Sequence, residues 1–177
     1  MIAKINISKV VKDHFATFRD IDNRNFAWAE LIFFFALPVG VACVLVLRLN
    51  VLLSREILNT LIASFSVVVA LLFNLLLLVY DIISKSDPGS STFELKRRLL
   101  KEIYSNISYS ILVSISAVIF MVIFFFVLPP TSAQTAVNTS PSGKSLSIII
   151  VSLLINFTLT LLMILKRVHI LLAKEME

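Results

Sequence analysis

Long apolar runs alternate with short polar connections along this chain. Residues 28–47, 57–83, 104–128 and 146–165 are each predominantly apolar, and each reaches the ~20 residues needed to cross ~30 Å of hydrocarbon as a helix. The predicted fold is all-α: an integral membrane four-helix bundle preceded by an N-terminal amphipathic interfacial helix. Residues 1–27 form the amphipathic cytoplasmic or interfacial segment, 28–171 the four-helix membrane domain, and 172–177 a cytoplasmic tail.

The polar connections refine this division. Over residues 2–18, Ile7, Val10, Val11, Phe15 and Phe18 share one helical face, while Lys4, Lys9, Lys12 and Asp13 lie mostly elsewhere. Such a helix rests in the membrane interface or packs on its own bundle or a partner. In the first span, Trp28 suits the interface. Pro38 removes a backbone hydrogen bond and predicts a kink. Ala36 and Gly40 form a small-residue pair suited to close helix approach. The second span is long enough that it must tilt or protrude. Residues 86–90 (Ser-Asp-Pro-Gly-Ser) break it, and 91–94 (Ser-Thr-Phe-Glu) match a capping box. Lys96, Arg97, Arg98 and Lys101 follow. No proline or glycine occurs from Ser90 through Leu128, so this basic helix is expected to run straight into the third span. Pro129 and Pro130 end it. Residues 131–145 read as an exposed loop.

Composition agrees with the pattern. The chain is 58% hydrophobic with a mean hydropathy of +0.96, above the ~45–50% apolar content of soluble domains. The single cysteine, Cys43, excludes an intramolecular disulfide and sits in an apolar block, where a thiol behaves as a small hydrophobe. The net charge is +5, and its distribution sets the expected topology. Lys4, Lys9, Lys12, Arg19 and Arg24 precede the first span. Lys85, Lys96, Arg97, Arg98 and Lys101 flank the middle connection, and Lys166, Arg167 and Lys174 follow the last span. Only Arg48, Arg55 and Lys144 fall on the other side. The positive-inside rule then puts both termini and the middle connection in the cytoplasm. Insertion and anionic lipid account for the basic excess, and no nucleic-acid partner is expected.

Candidate chemistry is sparse. Asn74 lies eleven residues before Lys85, and Asn156 ten before Lys166, so both fall near mid-membrane at matched depth. They read as hydrogen-bonding glue between helices or as a polar ring lining an oligomeric pore. Ser110 and Ser114, within a serine stripe of the third span, read as a close-packing face or a water path. Lys96, Arg97, Arg98 and Lys101 offer a docking surface for lipid or a soluble partner. The expected central membrane contains no Asp, Glu, Lys, Arg or His, which argues against a proton-coupled carrier. No phosphate-binding loop, dinucleotide fingerprint, zinc-protease motif or nucleophile elbow occurs. His14 and His169 have no ligand-like companions in sequence. No catalytic residue, metal or cofactor is expected, and the chain is read as non-enzymatic.

The stretch 63–81, ASFSVVVALLFNLLLLVYD, resembles small bacterial membrane proteins, some of which accompany anti-phage defence systems. The resemblance implies a multi-pass protein of the bacterial inner membrane with a role in phage defence, and it assigns no catalytic or binding residue. Three functions follow as expectations. The first is an oligomeric effector or sensor that alters or monitors membrane integrity, either as a homo-oligomer or with a membrane partner subunit. The second is an anchor that docks a soluble partner through its basic helix. The third is a small channel or transporter subunit.

Overall fold

A computed structural model of the chain describes residues 7–17, 28–51, 53–85, 93–128 and 140–175. Five α-helices occur among them: α1 Ile7–Ala16, α2 Trp28–Cys43, α3 Arg55–Lys85, α4 Phe93–Val127 and α5 Pro141–Glu175. A π-helical turn, Val44–Arg48, extends α2. No strand occurs among the described residues.

Helix α3, residues 97–127 of α4 and residues 141–171 of α5 are long and apolar enough to cross a membrane, and together they mark a membrane protein. The stretch Phe34–Arg48 is a shorter apolar helix. It contains Pro38 and ends in the π-helical turn, where Leu49 N–H donates to the Val44 carbonyl at 3.2 Å. Asn50 follows with φ at 47°, a left-handed conformation that asparagine tolerates better than most residues.

Local chemistry sets the helix starts. The Ser54 hydroxyl accepts the Ile57 N–H at 3.2 Å, capping α3. The Ser140 hydroxyl accepts the Gly143 N–H at 3.1 Å, with Pro141 as the first helical residue. That serine–proline pair is a favourable helix start, since proline has no N–H to leave unpaired there. It also corrects the sequence expectation: residues 141–145, read as loop, are the first turn of α5. The expected continuity of the basic segment with the third span is met by α4, a single helix of ~52 Å. The proposed capping box falls partly outside the described residues, as do 129–139.

Helix α4 is the centre of the packing, with α3 and α5 beside it; α2 lies on α5, and α1 lies on α4. Toward one end, Leu100, Ile103 and Ile107 of α4 join Leu72 and Val79 of α3 and Phe157 and Ile164 of α5. Toward the other, Ala117, Met121 and Phe124 of α4 join Leu58 of α3 and Ile150 of α5. Ser110 and Ser114 are fully buried in this bundle, and the Ser114 hydroxyl donates back to the Ser110 carbonyl at 2.7 Å. At the far end, Arg55 ties α3 to α4. Its Nε and Nη2 donate to the Leu128 carbonyl at 2.9 and 2.6 Å, and its guanidinium sits 4.7 Å from the Phe125 ring centroid. The arginine thereby satisfies terminal carbonyls that the helix itself leaves open.

Burial is uneven. Of the apolar window of α3, 11% is buried, against 39% in α4 and 33% in α5. Ala36 and Gly40 are exposed on α2, and a Cβ added at Gly40 meets nothing within 4 Å. Among the described residues, this pair makes no close packing.

Candidate functional site

The helices bring together a polar cluster near one end of the bundle. His14 projects from the last turn of α1 and is fully buried. Val10, His14 and Thr17 recur at helical spacing, so one edge of α1 faces α4. The imidazole stacks flat on Tyr109, with centroids 3.8 Å apart and planes 3° from parallel. The Phe34 ring meets it edge-on at 6.1 Å.

Hydrogen bonds fix the His14 tautomer. Nδ1 lies 2.8 Å from Asn106 Oδ1. A carboxamide oxygen only accepts, so the neutral ring carries its proton on Nδ1. The Thr17 hydroxyl donates to the His14 carbonyl at 2.6 Å and approaches the same Asn106 oxygen at 3.3 Å. Burial lowers the His14 pKa to about 4; the Asn106 bond opposes this, and the nearby Arg167 charge adds to it. His14 is therefore neutral near pH 7.

The cluster continues inward. The Tyr109 hydroxyl donates to Asn156 Oδ1 at 3.2 Å, and Asn156 Nδ2 donates to the Phe34 carbonyl at 3.1 Å. Phe34 stands four residues before Pro38. Proline lacks the N–H that would bond this carbonyl, so the helix leaves it open. The carboxamide of a neighbouring helix fills the vacancy, as membrane interiors require of any freed backbone group. A break in α2 and a polar residue in α5 thus explain each other.

An outer layer of charge closes the site. Arg167 of α5 donates to the Thr17 carbonyl at 3.0 Å and lies 3.4 Å from Glu102, which lies 3.6 Å from Arg98. Arg167 caps the end of α1. Asn106 Nδ2, Ser105 Oγ and Ser110 Oγ are buried without a hydrogen-bond partner among the described residues. Chemically, the cluster joins α1, α4, α5 and α2 through neutral donors and acceptors. Among the described residues, no group of three or more His, Cys, Asp or Glu could hold a metal ion.

The sequence-selected residues scatter. Asn156 is in the cluster and buried; Asn74 is exposed on α3. Ser110 lies one residue beyond Tyr109, while Ser114 lies a turn further along α4. Arg97, Arg98 and Lys101 are exposed near the start of α4; the Lys96 side chain lies outside the description. Sequence reading weighed His14 only as a metal ligand and set it aside, and it passed over Asn106 and Tyr109. The available signal was weak: a histidine on the α1 edge between Val10 and Thr17, and two polar residues three apart at the start of a span. Comparisons with protein-family models, with curated proteins and with solved structures found no match to this chain.

Proposed function

We propose that the chain is a non-enzymatic, multi-pass membrane protein that self-associates along α3 and acts as an oligomeric effector or sensor of membrane integrity. The observation that carries this reading is the outward face of α3. Ala63, Val67, Ala70, Asn74, Leu77 and Asp81 are all exposed, and they follow one another at alternating steps of four and three residues. That is the seam of a left-handed helix pair. Small residues allow close approach, and a lone asparagine at a seam position fixes register by pairing amide to amide. In hydrocarbon the Asn74 carboxamide has no water to bond, so a second copy of α3 is the partner that offers the matching group.

In this reading α2 with its π-helical extension is the fourth span. Thirteen of the sixteen Lys and Arg residues then share the cytoplasmic side with both termini. The resemblance of residues 63–81 to bacterial membrane proteins supports an inner-membrane location and a part in phage defence. The test uses liposomes carrying the full chain. Ion leak that rises steeply with protein density and drops in Asn74→Leu is expected. Tight liposomes with an intact oligomer remove the effector role and leave sensing. A chain that stays monomeric in the bilayer ends the proposal.

A further inference from the structure

The structure assigns a binding site for the phosphate head group of an anionic phospholipid to the cleft between the end of α3 and the start of α4. The site depends on membrane embedding but not on self-association through α3, so the two readings fail separately. The cleft has a volume of about 800 Å³ and is lined by Ile83, Glu94, Arg97, Arg98 and Lys101. Among the described lining residues, three cations meet one carboxylate. A second cleft, of about 470 Å³ between α1 and α4, sets Asp13 and Glu102 against Lys9 and Lys101. Among its described lining residues the charges balance, which gives it no preference for an anion.

Three features favour a lipid as the occupant. Guanidinium groups match phosphate oxygens through paired N–H donors, and Arg97 and Arg98 are both exposed here. Arg98 contacts Glu102 only at 3.6 Å and its side chain remains 53% exposed, which leaves donor edges for a ligand. The cleft also lies where α3 passes from its apolar run to the charged pair Asp81–Lys85, 2.7 Å apart. That is head-group depth. Toward the membrane centre, Leu78 and Tyr80, beside the seam, are 56% and 62% exposed, an apolar surface on which acyl chains can lie. Basic pockets between membrane helices at this level are a recurring way to hold anionic lipid head groups.

Native mass spectrometry of the full chain, released from mixed micelles with equal phosphatidylglycerol and phosphatidylcholine, tests the assignment. The wild type is expected to retain phosphatidylglycerol preferentially. Arg97→Gln, Arg98→Gln, Lys101→Gln together are expected to lower that preference about tenfold or more. The single Arg97→Gln and Lys101→Gln changes give graded losses and cover the case in which the triple variant does not fold. Arg48→Gln with Lys144→Gln, which removes charge at the opposite end, leaves the preference intact. An equal fall in that control overturns the site in favour of general charge attraction. Loss of the lipid to millimolar inorganic phosphate identifies free phosphate as the ligand and overturns it too. A wild type without preference does the same, returning the basic cluster to a soluble partner.

Discussion

Asn74 and Asn156 sit in nearly the same local sequence, Leu-Leu-Phe-Asn-Leu and Leu-Leu-Ile-Asn-Phe, on helices that run in the same direction. Their surroundings are opposite. Asn156 is 6% exposed, accepts from Tyr109 and donates to the Phe34 carbonyl. Asn74 faces outward from α3. The difference comes from what stands opposite. A proline in α2 leaves an open carbonyl within reach of Asn156, while nothing among the described residues covers the Asn74 face. One asparagine is committed to the fold, and the other is exposed and is the one we propose for assembly.

The largest expected effect tests how firmly the inner cluster holds α1. The His14 pKa lies at about 4, below its ordinary 6.5. A histidine with a lowered folded value favours the docked state fully above pH 6.5. That contribution falls progressively between pH 6.5 and 4, because the undocked ring takes up its proton first. The total is on the order of 3 kcal/mol. With Cys43→Ser and Val10→Cys in the full chain, thiol labelling is expected to speed up across that window. His14→Gln keeps a polar side chain but no titration, so its labelling stays flat. A wild type that labels equally at pH 7 and pH 4.5 disproves this hold on α1.

The next effect sharpens the account of Asn156. Asn156→Leu removes the bonds that the Tyr109 hydroxyl and the Phe34 carbonyl make with the carboxamide, at a cost of roughly 2 kcal/mol. Thermal unfolding in detergent measures it. Pro38→Ala restores the N–H that bonds the Phe34 carbonyl inside α2, so in that background Asn156→Leu is expected to cost about 1 kcal/mol less. Equal losses in both backgrounds would show that the proline and the asparagine do not share one carbonyl.

Much of the helical layout was legible because hydrocarbon length and charge are written linearly. The apolar runs matched α3 and α4 closely, and the unbroken stretch from Ser90 to Leu128 correctly implied one helix. The start of α5 was misread because Ser140-Pro141 looks like loop composition, although a serine cap before proline also begins a helix. The inner site was mostly illegible. Periodicity places residues on a helix but does not say which face meets a neighbour, so Asn74 and Asn156 looked alike. His14 was hidden for a related reason. It falls within the apolar face drawn through Ile7, Val10, Val11, Phe15 and Phe18, on its Val10 edge, and periodicity does not say that this edge is the one that meets α4.

A smaller effect addresses the outer asparagine. Asn74→Leu is expected to leave the unfolding midpoint of the monomer unchanged and to weaken self-association by about 1 kcal/mol, roughly fivefold. Asn74→Cys in a Cys43→Ser background is expected to form a disulfide-linked dimer in the bilayer under mild oxidation. Val67→Cys and Leu77→Cys probe the seam on either side of it. Absence of a cross-link from all three variants removes α3 as the seam.

The smallest effect separates α3 from the other outward face. Ala36 and Gly40 on α2 are also exposed, but no polar side chain stands between them. A Cβ at Gly40 meets open space, so Gly40→Ala brings no clash and gains helix propensity of up to about 1 kcal/mol. The expected outcome is a slightly raised unfolding midpoint with self-association unchanged. Weaker association in Gly40→Ala would mean that a second helix approaches α2 within contact distance of that added methyl. The small-residue pair, rather than the asparagine seam, would then be the surface on which copies meet.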